Sequence, residues 1–129
     1  MTDARVEVAV VPRAGKPRVA LFAAPETSPA ILFGLLDVLA SVGAVFPDMT
    51  KGEPGDALLD VRIVAADPAP FRCFGGILVE PHESIDGAEP FDVIIVCDLY
   101  TPITTAPRGR FAREVEWIRR MHQGGALIA

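Results

Sequence analysis

The chain has 129 residues, half of them hydrophobic, enough for one domain with a sizeable core; its 12 prolines and 11 glycines are scattered between apolar runs, as turn residues are. A formal net charge of -5 repels a phosphate backbone, which argues against nucleic-acid contact by this segment itself. The two cysteines, Cys73 and Cys97, form neither a disulfide framework nor a zinc motif, and no run approaches the roughly 18 apolar residues of a membrane span, so a reducing cytoplasm is the expected home.

Residues 1–17 read as an N-terminal extension, in which Val6, Val8, Val10 and Val11 favour a strand before Pro12, Gly15 and Pro17 break the chain into a linker. The domain proper is expected over residues 18–129. Its first strand is Arg18 to Ala23, an apolar run of the kind found where helices cover both faces of a sheet. Ser28 is suited to cap the helix that follows, with Pro29 at its first position; Ile31, Leu35, Leu36, Val38, Leu39 and Val42 make one broad apolar face, and Gly43 ends the run. The Pro/Gly/Asp-rich stretch from Phe46 to Ala57 reads as a connection and Leu58 to Ala65 as the second strand. A right-handed crossover then brings the carboxyl ends of both strands to one rim, where open α/β sheets bind ligands.

Phe71 to Phe74 and Ile77 to Glu80 flank Gly75-Gly76 and predict a small hairpin. Phe91 to Val96 is a third apolar strand that delivers Cys97-Asp98 to the same rim. A helix is expected from about Gly109 to Gln123, with Phe111, Val115, Ile118 and His122 on one stripe and Gly124-Gly125 as its stop, after which Ala126 to Ala129 begins another strand. The order predicts an α/β, flavodoxin-like doubly wound layer: a mostly parallel sheet with a small hairpin. It also predicts a domain that lacks its C-terminal strands and helices, because the chain ends inside that last element.

The rim supplies the candidate ligand-binding residues. Glu26 follows the first strand and faces the switch-point crevice, while Cys97, Asp98 and Tyr100 follow the third and offer a thiol, a carboxylate and a phenol. His82 and Glu83 are adjacent but point to opposite faces of an extended segment, which rules against a dyad. Arg108, Arg110, Arg113, Arg119 and Arg120 make the second helix locally basic, but Glu114 and Glu116 between them favour a solvated face. No dinucleotide fingerprint, P-loop or zinc-protease motif occurs, so neither cofactor nor metal is expected.

G-L-L-D-V-L (Gly34 to Leu39), G-G-I-L-V-E-P-H-E-S-I-D (Gly75 to Asp86), F-D-V-I-I-V-C (Phe91 to Cys97) and W-I-R-R-M-H-Q-G-G-A-L-I-A (Trp117 to Ala129), taken in that order, resemble the ThiJ/PfpI superfamily with its class I glutamine amidotransferase-like fold. The last segment is similar to the approach to the cysteine elbow in the N-terminal domain of GlxA-like AraC-family transcriptional regulators. That resemblance implies a chain cut just before the elbow, where backbone N–H groups and a helix N-terminus would stabilise a thiolate and an oxyanion. It also implies a silenced site. Ile31 stands where some catalytic relatives carry an acid, and Cys97-Asp98-Leu99 replaces the Pro-Gly that lets a backbone approach an oxyanion closely.

The expectation is therefore a non-catalytic ligand-sensing and dimerising domain of such a regulator. It would form a homodimer, bind a small-molecule effector at Glu26, Cys97, Asp98 and Tyr100, and reach DNA only through a module absent from this chain. The alternatives are a fragment of a cysteine-dependent amidase- or hydratase-like enzyme, or a truncated subunit completed by a partner.

Overall fold

The computed structural model describes residues 15–87 and 89–129; the valine-rich stretch of the N-terminal extension lies outside them. Five strands, β1 (Arg18–Phe22), β2 (Asp60–Ala65), β5 (Glu83–Ser84), β6 (Val93–Val96) and β7 (Leu127–Ile128), form one parallel sheet in the order β5-β2-β1-β6-β7, while β3 (Phe71–Arg72) and β4 (Leu78–Val79) make a separate antiparallel hairpin. β1 pairs with β2 on one side and β6 on the other, which is the doubly wound arrangement, with the topological switch beside β1.

Alternation along β1 divides the core in two. Val19, Leu21 and Ala23 join Leu32, Ile63, Cys73, Val79 and Cys97 on one face, beneath helix α1 (Pro29–Ala40). Ala20, Phe22 and Ala24 join Val64, Phe91, Ile94 and Trp117 on the other, beneath helix α3 (Ala112–Gln123). Each fully buried large apolar side chain contributes about 1.5–3 kcal/mol relative to exposure. Trp117 meets Phe22 at 6.2 Å and Phe91 edge-on at 6.3 Å between ring centroids.

Both helices lie where the sequence predicts them, and each keeps part of the expected face toward the sheet, Leu35, Leu36 and Leu39 on α1 and Ile118 on α3, while the rest of that face turns outward. On α1, Leu32, Leu35, Leu36 and Leu39 face the sheet at three- and four-residue spacing, whereas Ile31 and Val38 fall outside that stripe and are exposed. On α3 the inward set is Glu114, Trp117, Ile118 and Met121, and Val115 points outward. Alanines and β-branched residues on both sides of each stripe leave its phase ambiguous until the sheet selects one.

The Phe46 to Ala57 stretch also differs from the irregular connection expected. It opens with helix α2 (Val45–Lys51), whose Pro47 lies in the first turn, where an amide has no intrahelical acceptor, and whose end is set by Gly52 at φ 70°. None of its residues is buried, so no apolar stripe advertised it. The hairpin pairs Phe71 with Val79 and Arg72 with Leu78 as expected. Its tip is a 3₁₀ turn over Phe74–Gly76 rather than a two-residue turn, with Gly75 and Gly76 both at φ 78°, a conformation that suits glycine.

At the amino ends of the strands, Arg18 ties the sheet together. Its guanidinium binds the Glu83 and Asp60 carboxylates and the backbone carbonyls of Glu89 and Pro90, and lies 4.3 Å from the Phe91 ring centroid. Asp60 also accepts a 2.7 Å bond from Arg62, and that bond, ahead of Arg18, holds its carboxyl below the ordinary value. His82 is structural: its Nδ1 accepts the Ile63 N–H at 2.8 Å, and its own N–H donates to the Ile63 carbonyl at 2.9 Å.

Candidate functional site

The carboxyl ends of β1, β2 and β6 lead into three loops that converge on Thr27. This residue is fully buried; its Oγ1 accepts the Ala24 N–H at 2.9 Å and its own N–H donates to the Ala24 carbonyl at 2.9 Å, closing a tight turn after β1. The Thr27 carbonyl accepts the Phe74 N–H from the hairpin tip at 3.1 Å, and Thr27 pairs with Leu99 in an antiparallel bridge. Two further bonds zip the loops together, Tyr100 N–H to the Glu26 carbonyl at 2.8 Å and Ser28 N–H to the Asp98 carbonyl at 3.3 Å. The α1 cap itself is backbone-only, since Ser28 makes no side-chain capping bond.

The predicted rim residues separate into distinct roles within this frame. The Glu26 carboxylate is held by Arg110 through two bonds, Nε at 3.0 Å and Nη2 at 3.2 Å, joining the β1 loop to the segment that enters α3. Tyr100 is exposed, with its ring 5.4 Å from that of Phe74 between centroids, and the Asp98 side chain is exposed beside it. Cys97 is 2 % exposed and lies in the core beneath α1; burial pushes its thiol up to about 11. The structure thus places Glu26, Asp98 and Tyr100 on one zipped pair of loops and directs the Cys97 thiol away from them.

A cavity of about 460 Å³ opens on the α3 side of this rim, between the ends of β1 and β2 and the start of α3. Its walls are short side chains, Ala23, Ala24, Ala65 and Ala66 among them, with Phe71 on one side and Arg110, Arg113 and Glu114 on the other. Arg113 spans Asp67 at 3.4 Å and Asp86 at 3.1 Å. The arginines read in the sequence as a solvated face therefore include two that pin α3 to the rim. The alanine doublets at the ends of β1 and β2 were the signal for a hollow there, because two strands that finish in Ala-Ala leave room under a covering helix. Among the described residues no cluster of three or more His, Cys, Asp or Glu side chains could hold a metal ion, and no single helix is long and apolar enough to cross a membrane.

No protein-family model matches the chain, and no curated protein matches it. Solved structures do. A candidate transcriptional regulator from Vibrio parahaemolyticus superposes with a TM-score of 0.65 at 20% identity over 88% of this chain and 55% of that one. A DJ-1 superfamily protein from Salmonella typhimurium gives 0.63 at 16% identity over 87% of this chain and 53% of that one. An AraC family transcriptional regulator from Pseudomonas putida gives 0.52 at 20% identity over 86% and 62%. The chain spans between half and two thirds of the length of these structures. Its parallel sheet with three helices is the flavodoxin-like fold of the DJ-1/ThiJ/PfpI superfamily, the fold that its AraC-family neighbours share.

Proposed function

We propose that this chain is a ligand-sensing and dimerising domain of an AraC-type transcriptional regulator and that it binds rather than catalyses. The observation that carries this reading is the state of the rim: an open cavity stands beside it, while its acid nearest the first strand is paired and its cysteine is buried. Glu26 is saturated by Arg110, and Cys97, the one rim cysteine, is buried with its thiol raised to about 11. A cysteine nucleophile needs the opposite, an accessible thiol with a depressed pKa beside a base. Ile31, at the position where the resemblance implies an acid, is 46% exposed on the outer side of α1 and can exchange no proton.

The structural likeness to regulators from Vibrio parahaemolyticus and Pseudomonas putida supports the same assignment. Dimerisation is supported by apolar side chains left open on α1 (Ile31, Val38) and on the hairpin (Phe74, Ile77, Leu78). DNA contact would belong to a module outside this acidic chain, and a cytoplasmic location belongs to the same reading. The test compares transcripts in cells lacking the chain with cells carrying Cys97→Ala, together with sedimentation of the purified chain. A regulator changes a defined set of transcripts on deletion and none with Cys97→Ala, and the chain sediments as a dimer. Amide or ester hydrolysis abolished by alkylation, or a monomer at every concentration, would overturn the corresponding half of the proposal.

A further inference from the structure

The cavity beside the rim contains a carboxylate with nothing to pair with. Glu114 is 6% exposed and lines the cavity, yet among the described residues its side chain makes no hydrogen bond or ion pair. Its carboxylate oxygens are not sealed from solvent, since among the described residues no side-chain oxygen or nitrogen is both sealed and without a partner. The neighbouring charges are spoken for: Arg110 is bound by Glu26, and Arg113 by Asp67 and Asp86. Four carboxylates thus surround two guanidiniums, and the excess negative charge has its least hydrated member, Glu114, inside the hollow. The N-terminal turn of α3, in which Glu114 is the acidic residue, eases that charge through its dipole but leaves the carboxylate lone pairs unbonded.

An occupant that completes this arrangement carries a positive charge and N–H donors, and its remaining surface suits walls of alanine and the Phe71 ring. A bare divalent cation lacks the further oxygen ligands it demands, and an anion meets the wrong field. The volume of about 460 Å³ admits an organic cation of several carbons and excludes a folded partner. The geometry points to a binding site in this cavity for a small organic ammonium or guanidinium compound, with Glu114 as its counter-ion and hydrogen-bond acceptor. The inference names the ligand class for the sensing function proposed above and rests on that reading for its regulatory meaning; binding itself is measured independently of it.

The experiment titrates the purified 129-residue chain with butylammonium chloride and follows the fluorescence of Trp117, the chain's one tryptophan, which sits three residues along α3 from Glu114 and is buried beneath it. The expected result is a saturable change and a rise in thermal midpoint with butylammonium, and neither with butyrate or butanol. Glu114→Gln weakens the response at least tenfold. Should that variant fail to fold, Ala69→Phe at an exposed position of the cavity wall fills the hollow without entering the core and abolishes the response. No saturable response to butylammonium, an equal response to butyrate or butanol, or unchanged binding by a folded Glu114→Gln or Ala69→Phe overturns the site. Glu114 would then serve only the start of α3. Binding that leaves the transcript set unmoved would instead remove the sensing function and leave the site standing.

Discussion

Replacing Thr27 by valine isolates the hydrogen bond that closes the rim. The two side chains have nearly the same shape and both favour extended backbone, so packing at this fully buried position is kept while the acceptor for the Ala24 N–H disappears. A buried donor left without a partner costs about 1–3 kcal/mol. With roughly 4 °C of thermal midpoint per kcal/mol for a domain of this size, the midpoint should fall by about 4–12 °C. Thr27→Ser keeps the oxygen and loses one methyl, a loss of roughly 1 kcal/mol. Calorimetry should therefore rank wild type above serine and serine above valine, and the Ala24 amide should lose its protection against hydrogen exchange in valine alone. Valine as stable as wild type, or serine the worse of the two, would refute the claim that the hydroxyl, rather than apolar packing, closes this turn.

Other predictions concern the charges and the core. Because burial raises the folded Cys97 thiol to about 11 against an ordinary 9.0, the unfolded chain ionises first as pH rises. The protein should lose stability between those values, on the order of 2 kcal/mol, and Cys97→Ala should remove that part of the alkaline slope in urea titrations. Asp60 is shifted the other way, chiefly by Arg62, so its contribution is present above 3.8 and is lost as pH falls through the lower folded value; Arg62→Gln should move the Asp60 carboxyl resonance titration upward. Arg18→Met strands the partly buried Glu83 carboxylate, while Asp60 keeps Arg62, and should cost roughly 2–3 kcal/mol by chemical denaturation, somewhat less than for a fully buried pair. Trp117→Ala empties the centre of the α3 face and should cost about 3–5 kcal/mol, leaving α3 the first element to exchange its amides.

The difference between what local sequence patterns reveal and what they conceal is clearest at α3. Phe111, Val115 and Ile118 suggest one stripe and Glu114, Trp117, Ile118 and Met121 another, and a helix can be drawn either way until the Phe22 and Phe91 rings claim Trp117. Once they do, Glu114 is carried inward with it, three residues earlier on the same face. No periodicity argument would bury a glutamate by choice. The pairing of Glu26 with Arg110 bridges 84 positions, and the convergence on Thr27 gathers loops from three separate parts of the chain; neither leaves a trace in local pattern.

Apart from α2 and β5, the sequence by itself determined the order of β1, α1, β2, the hairpin at Gly75-Gly76, β6, α3 and β7 and the parallel doubly wound layer, because these follow from period-two and period-3.6 patterning and from turn chemistry acting over a few residues. Only the tertiary structure decided which face each helix turns to the sheet, that Cys97 points into the core while Glu26 is tied to Arg110, and that the alanine-walled hollow beside the rim holds Glu114. Those outcomes depend on shape and charge meeting across the folded chain, and such matches exist only once distant segments have been brought together.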